Sequence, residues 1–141
     1  MFCVINFVWL LNTSSTTDGV NSGSVILQAV GNIILRDINS NWSGESGRGN
    51  AGNITLVSTA GGIDTTAGQL AAVSNNGTGG TVILKAQQDI VTGTIESAVN
   101  QSLAGIPSNG NSGDISISSI DGSINTSRGL INSRANKLFS I

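Results

Sequence analysis

The side chains best suited to chemistry are eight carboxylates, Asp18, Asp37, Glu45, Asp64, Asp89, Glu96, Asp114 and Asp121, set against six scattered basic residues. Glycoside hydrolysis needs two carboxylates across a groove, and a lyase needs an acidic or metal-assisted site with a basic partner. The best pair is Asp64, which follows Ile63, and Asp89, which precedes Ile90. If the chain is built from stacked repeats, both fall on one face of adjacent coils, with Lys85 on an earlier strand of the same coil as Asp89. An Asp beside a strand start more commonly forms a turn, its side chain bonding local backbone. The pair is therefore read first as turn chemistry, and no catalytic residue is assigned.

Other chemistries find less support. No histidine is present, which excludes Ser-His triads and histidine-ligated metals, and the lone Cys3 can make no internal disulfide. The acids do not recur in register and the Gly-Gly-x-Gly-x-Asp calcium repeat is missing, so no metal or other cofactor is expected. The Gly-Gly pairs at 61–62 and 79–80 lack a following Gly-Lys-[Ser/Thr] and read as turns rather than a phosphate cradle. Arg36, Arg48, Lys85, Arg128, Arg134 and Lys137 form no stripe, so nucleic acid is not an expected partner. Two tryptophans, Trp9 and Trp42, could stack on a sugar ring. Trp42, in the polar loop Asn39-Ser-Asn-Trp-Ser-Gly, is the candidate carbohydrate contact, the alternative being an indole folded back over the core.

The elements that must position these residues are strands. Only 10% of the 141 residues are charged, yet 38% are hydrophobic, so the chain has apolar material for a core. Asn, Ser, Thr and Gly supply nearly half of the sequence, with Ile and Val prominent among the rest, which is strand and turn chemistry. Four segments share a Gly-x-[Val/Ile]-x-[Leu/Ile] motif, beginning at Gly23, Gly52, Gly80 and Gly113, at spacings of 29, 28 and 33 residues. Each carries two apolar residues two apart, the period of a strand with one buried face. A second apolar column, Ile33, Ile63, Ile90 and Ile124, follows a polar or glycine pair and marks a second short strand. A third position, at Ile38, Leu70, Ile95 and Leu130, suggests a third.

No stretch keeps a 3.6-residue period, and the unit is shorter than a propeller blade. Three short strands in about 28 residues fit one coil of a right-handed parallel β-helix, an all-β solenoid of about four to five coils. Stacking at about 4.8 Å would set Val25, Ile54, Val82 and Ile115 in one inward ladder and Leu27, Leu56, Leu84 and Ile117 in a second. Thr55, Thr81, Ser116, Thr65, Thr92 and Thr126 are expected outside as polar ladders, with glycines at the corners for positive φ or close approach. Asn-x-Ser/Thr triplets such as Asn53-Ile-Thr fall in strands and read as repeat residues.

Gly49-Asn-Ala-Gly-Asn-Ile-Thr-Leu-Val-Ser, Gly61-Gly-Ile-Asp-Thr, Gly79-Gly-Thr-Val-Ile-Leu-Lys-Ala and Ser112-Gly-Asp-Ile-Ser-Ile resemble the repeats of filamentous-haemagglutinin-type adhesins and related large bacterial exoproteins. The resemblance spans roughly Gly19 to Ser133. It implies a right-handed β-helix exported by two-partner secretion and exposed at the cell surface. The implied role is a non-catalytic structural or adhesive rod, secreted or associated with the outer membrane. Its implied partners are a glycan or protein of a host or neighbouring cell and an outer-membrane secretion partner. The alternative is a polysaccharide-binding or polysaccharide-cleaving β-helix.

The expected organisation is an apolar segment at 1–18, repeats at 19–133 and an incomplete coil at 134–141. Met1 to Leu11 lacks a basic leader and a small-residue cleavage site and is too short to span a bilayer; it reads as part of an incomplete coil, a cap or the start of a truncated reading rather than as an export signal. No other segment could cross a membrane. The secretion domain of such exoproteins is not seen, and neither end resembles a polar cap, so the chain is expected to be an excerpt of a longer helix that self-associates in isolation.

Overall fold

A computed structural model describes residues 5–44, 48–100 and 110–135, with side chains described from residue 10 onward. Every element is a strand: β1 (Ile5–Asn12), β2 (Val25–Ala29), β3 (Ile33–Asn39), β4 (Ile54–Ser58), β5 (Ile63–Ala71), β6 (Val82–Ala86), β7 (Ile90–Glu96), β8 (Ile115–Ser119), β9 (Ile124–Asn125) and β10 (Ile131–Asn132). All pairings are parallel, and each joins strands one coil apart. One sheet runs β2-β4-β6-β8; the other runs β1-β3-β5-β7-β10, with β9 also on β7. The result is the parallel β-solenoid expected from the repeats. It makes about three turns, fewer than four to five coils.

The first sheet follows the glycine motif residue for residue. Val25 pairs with Ile54, Ile54 with Val82 and Val82 with Ile115, and Leu27, Leu56, Leu84 and Ile117 form the neighbouring column. Ile54, Leu56, Val82 and Leu84 are fully buried. Across from them, Ile33, Ile63, Ile90 and Ile124 stack in the second sheet. Each fully buried Ile or Leu contributes roughly 1.5–3 kcal/mol, but only where a neighbouring coil closes the interior. The contrast at the last coil shows this dependence: Ile90 is 0% exposed, whereas Ile124, one coil further on, is 47% exposed.

The third side departs from expectation. Ile38, Leu70 and Ile95 do form an inward column, but they lie on the same long strands as the second column, after a bulge that displaces the register. The last member is Ile131, paired with Ile95, and not Leu130, which is 59% exposed. The third side itself is reduced to single-residue bridges that link Ser15, Trp42, Ser74, Val99 and Ala135.

Corner glycines act through close approach. Among the described glycines only Gly19 has positive φ. A Cβ on Gly52 would lie 2.1 Å from the Gly23 carbonyl oxygen, and one on Gly80 2.0 Å from that of Gly52. Only glycine lets successive corners stack this tightly. Inside the corner, a hydroxyl from the far end of the coil closes the cross-section. Ser40 Oγ donates to the Gly23 carbonyl at 2.5 Å, Ser97 Oγ to Gly80 at 2.7 Å and Ser133 Oγ to Gly113 at 2.8 Å.

Candidate functional site

Trp42 is folded into the protein. Its side chain is fully buried and its Nε1 donates to the Thr17 carbonyl at 3.1 Å. Gly49 and Gly44 lie against the ring, since a Cβ on either would fall 2.1 Å from Nε1 or 2.4 Å from Cζ2. The indole presents no free face to a sugar in this arrangement; it fills the space against Gly44 and Gly49. The side chain of Trp9, the 1–4 segment, Glu45, Pro107 and the 136–141 segment lie outside the described residues.

Asp64 and Asp89 do meet in one shallow groove of about 280 Å³, at the corner between the sheets, lined also by Asn32, Gly62, Gln88 and Val91. Both carboxylates already have structural bonds. Asp64 Oδ1 accepts from the Thr66 N–H at 2.9 Å and the Thr66 hydroxyl at 2.7 Å, a local turn. Asp89 Oδ1 reaches forward one coil and accepts the Ser123 N–H at 2.8 Å and the Ser123 hydroxyl at 3.1 Å. The backbone N–H of Ser123, seconded by its hydroxyl, holds the Asp89 carboxyl below the usual carboxylate range. That favours the ionised form, whereas a general acid needs its proton retained. Lys85 is exposed on the outer face of the first sheet and lines a separate depression with Val57, Gln87 and Ile120. The two acids and the lysine are therefore not one constellation. Among the described residues, no three Asp, Glu or Cys side chains converge.

The Asp89 bond is one instance of a rule that the sequence did not reveal. Side chains at the corners, and at the bulge of the long strands, accept a backbone N–H of the next coil. Asn32 Oδ1 accepts from Gly62 at 2.9 Å, Asp37 Oδ1 from Gln69 at 3.0 Å and Asn41 Oδ1 from Val73 at 2.8 Å. At another corner the bond repeats in two rows. Asn21 Oδ1 accepts from Asn50 at 2.9 Å and Asn50 Oδ1 from Thr78 at 2.9 Å. Ser24 Oγ accepts from Asn53 at 3.0 Å and Asn53 Oδ1 from Thr81 at 2.9 Å.

Between these rows runs a polar groove of about 630 Å³ that crosses four successive rungs of this corner along the solenoid axis. One wall is Asn21, Asn50, Thr78 and Asn111; the other is Ser24, Asn53, Thr81 and Asp114; the floor is small, at Ser22, Ala51 and Gly79. The signal for it was present as a recurring polar-small-Gly-polar tetrad ahead of each first-sheet strand, at Asn21-Ser-Gly-Ser, Asn50-Ala-Gly-Asn, Thr78-Gly-Gly-Thr and Asn111-Ser-Gly-Asp. The groove is uncharged apart from Asp114 at one end.

Among the described residues, no helix is long and apolar enough to cross a membrane. No protein-family model, curated protein or solved structure matches this chain.

Proposed function

We propose that this chain is a non-catalytic, adhesive rod segment of a large secreted bacterial exoprotein of the filamentous-haemagglutinin type. It is exported by a two-partner route and held at the outer-membrane surface, where it meets a glycan or protein of a host or neighbouring cell. The observation that carries this reading is the use made of the polar side chains. Asn, Ser and Asp at the corners are spent on bonds between coils, and Asp64 and Asp89 are held as hydrogen-bonded carboxylates away from Lys85. Such an arrangement propagates a stiff rod and commits these two carboxylates to structural bonds rather than to bond cleavage. The resemblance of the repeats supplies the surface location and the export route.

The test has two arms. Antibody raised against the chain should label intact cells of the source organism or their culture medium, and beads coated with the chain should bind cells. Release of new reducing or unsaturated sugar ends from polysaccharide by the purified chain would overturn the non-catalytic role. Labelling confined to broken cells would overturn the surface location.

A further inference from the structure

The groove along the axis includes asparagines that have one side of the amide bonded and the other left. Three Asn amides on its walls, Asn21, Asn50 and Asn53, have the oxygen fixed by a backbone N–H of the next coil, that of Asn50, Thr78 and Thr81 respectively. An amide whose oxygen is held in this way has its Nδ2 group, with two donors, turned away from that bond. Asn21, Asn50 and Asn53 are exposed, and these Nδ2 groups have no protein partner among the described residues. The Thr78 and Thr81 hydroxyls add groups able to donate or accept, also without a protein partner there. The donors repeat once per coil, at about 4.8 Å.

We infer that this groove binds a neutral polysaccharide laid along the rod axis, with successive sugar hydroxyls accepting from the amide ladder. The inference rests on the adhesive reading above and names the ligand class for it. An anionic glycan is disfavoured because, among the described residues, no cation lines the groove and Asp114 stands at one end. An extended peptide is disfavoured for a different reason. Peptide capture by strand addition needs unpaired backbone, but backbone N–H groups of the floor are committed along the axis, Ser22 to Asn50, Ala51 to Thr78 and Gly79 to Asn111, at 2.9, 3.0 and 2.9 Å. A sugar chain asks only for side-chain donors and a small-residue floor that lets its rings approach.

The discriminating variant is Asn50→Asp with Asn53→Asp. A carboxylate keeps the oxygen that accepts from the next coil, as Asp37 and Asp89 do naturally, and loses the Nδ2 donors. Affinity electrophoresis of the whole chain through soluble β-glucan, mannan, galactan and, as the anionic counterpart, heparin reads the outcome. At least one neutral polysaccharide should retard the wild type, and the double variant should bind it at least tenfold more weakly with an unchanged circular dichroism spectrum. Lys85→Gln, on the outer face of the first sheet, should bind as the wild type does. If the double variant does not fold, Thr78→Val, which removes a hydroxyl with no bond inside the protein, takes its place with a several-fold loss expected. No retardation by any neutral polysaccharide, stronger retardation by heparin, equal binding by the groove variant, or loss on Lys85→Gln would overturn the assignment. If the chain-coated beads still bind cells after such a result, only the groove assignment falls and the adhesive role stands.

Discussion

Thr65 and Thr92 sit where period-two alternation places them rather than where their chemistry would. Each lies two residues beyond an inward isoleucine, Ile63 or Ile90, and the two pair in register. Reading them as outward hydroxyl ladders put residue type ahead of alternation. Both are fully buried and neither Oγ1 has a hydrogen-bond partner. Leu35, also two residues beyond an inward isoleucine, is buried too, so the position suits an apolar side chain. A buried hydroxyl without a partner carries its desolvation cost with no return, whereas an apolar group of similar shape does not. Thr65→Val and Thr92→Val should therefore each raise stability by about 1 kcal/mol. Denaturant midpoints would show it; a loss at both positions would mean that the hydroxyls have a partner such as an internal water.

At the scale of the coil, the closing bond between a far-side hydroxyl and the corner glycine has one vacancy. Ser40, Ser97 and Ser133 each donate to the glycine of their own coil, but the coil beginning at Gly52 carries Ala72 at that place, fully buried. Ala72→Ser would supply an Oγ to the Gly52 carbonyl in the geometry that Ser97 already uses. A gain of about 1 kcal/mol is expected in denaturant unfolding, the worth of one added hydrogen bond. A neutral or destabilising result would show that the Cβ-to-carbonyl distance differs in this coil. Coils of this kind were legible in the sequence wherever burial forces alternation, which is why Val25 to Ile115 and Ile33 to Ile124 were placed correctly. The third side was not legible, because single-residue bridges such as Trp42 and Ser74 impose no alternation. Leu130 and Ile131 are adjacent and both apolar, and only the register with Ile95 separates them. The bonding in the groove is not legible in the sequence because its asparagines bond backbone a whole coil away, a relation that no local turn rule contains.

Over the whole molecule, stability should grade along the axis. A solenoid coil contacts only its neighbours, so each coil is as stable as the contacts on its two sides allow. The inner coils have both. Ile54, Leu56, Val82 and Leu84 are sealed on either side, and β4 and β6 each pair with two strands. In the last described coil, Ile115 and Ile117 are only half-buried, Ile124 and Ile131 are exposed, and β9 and β10 are two residues each. Local opening there exposes little additional apolar surface and therefore costs little. Hydrogen exchange on the isolated chain, at low micromolar concentration, should find the amides of β4 and β6 protected to near the global unfolding free energy. Those of β9 and β10 should exchange orders of magnitude faster. Uniform protection along the axis would contradict nearest-neighbour stability. The same measurement at high concentration tests the edge: among the described residues β8 pairs only with β6, and its other side lies beside half-buried isoleucines, a surface on which a second molecule can add a strand. Protection in β8 should then rise with concentration while that in β4 and β6 stays fixed. A gradient independent of concentration would show that the edge does not recruit a second copy.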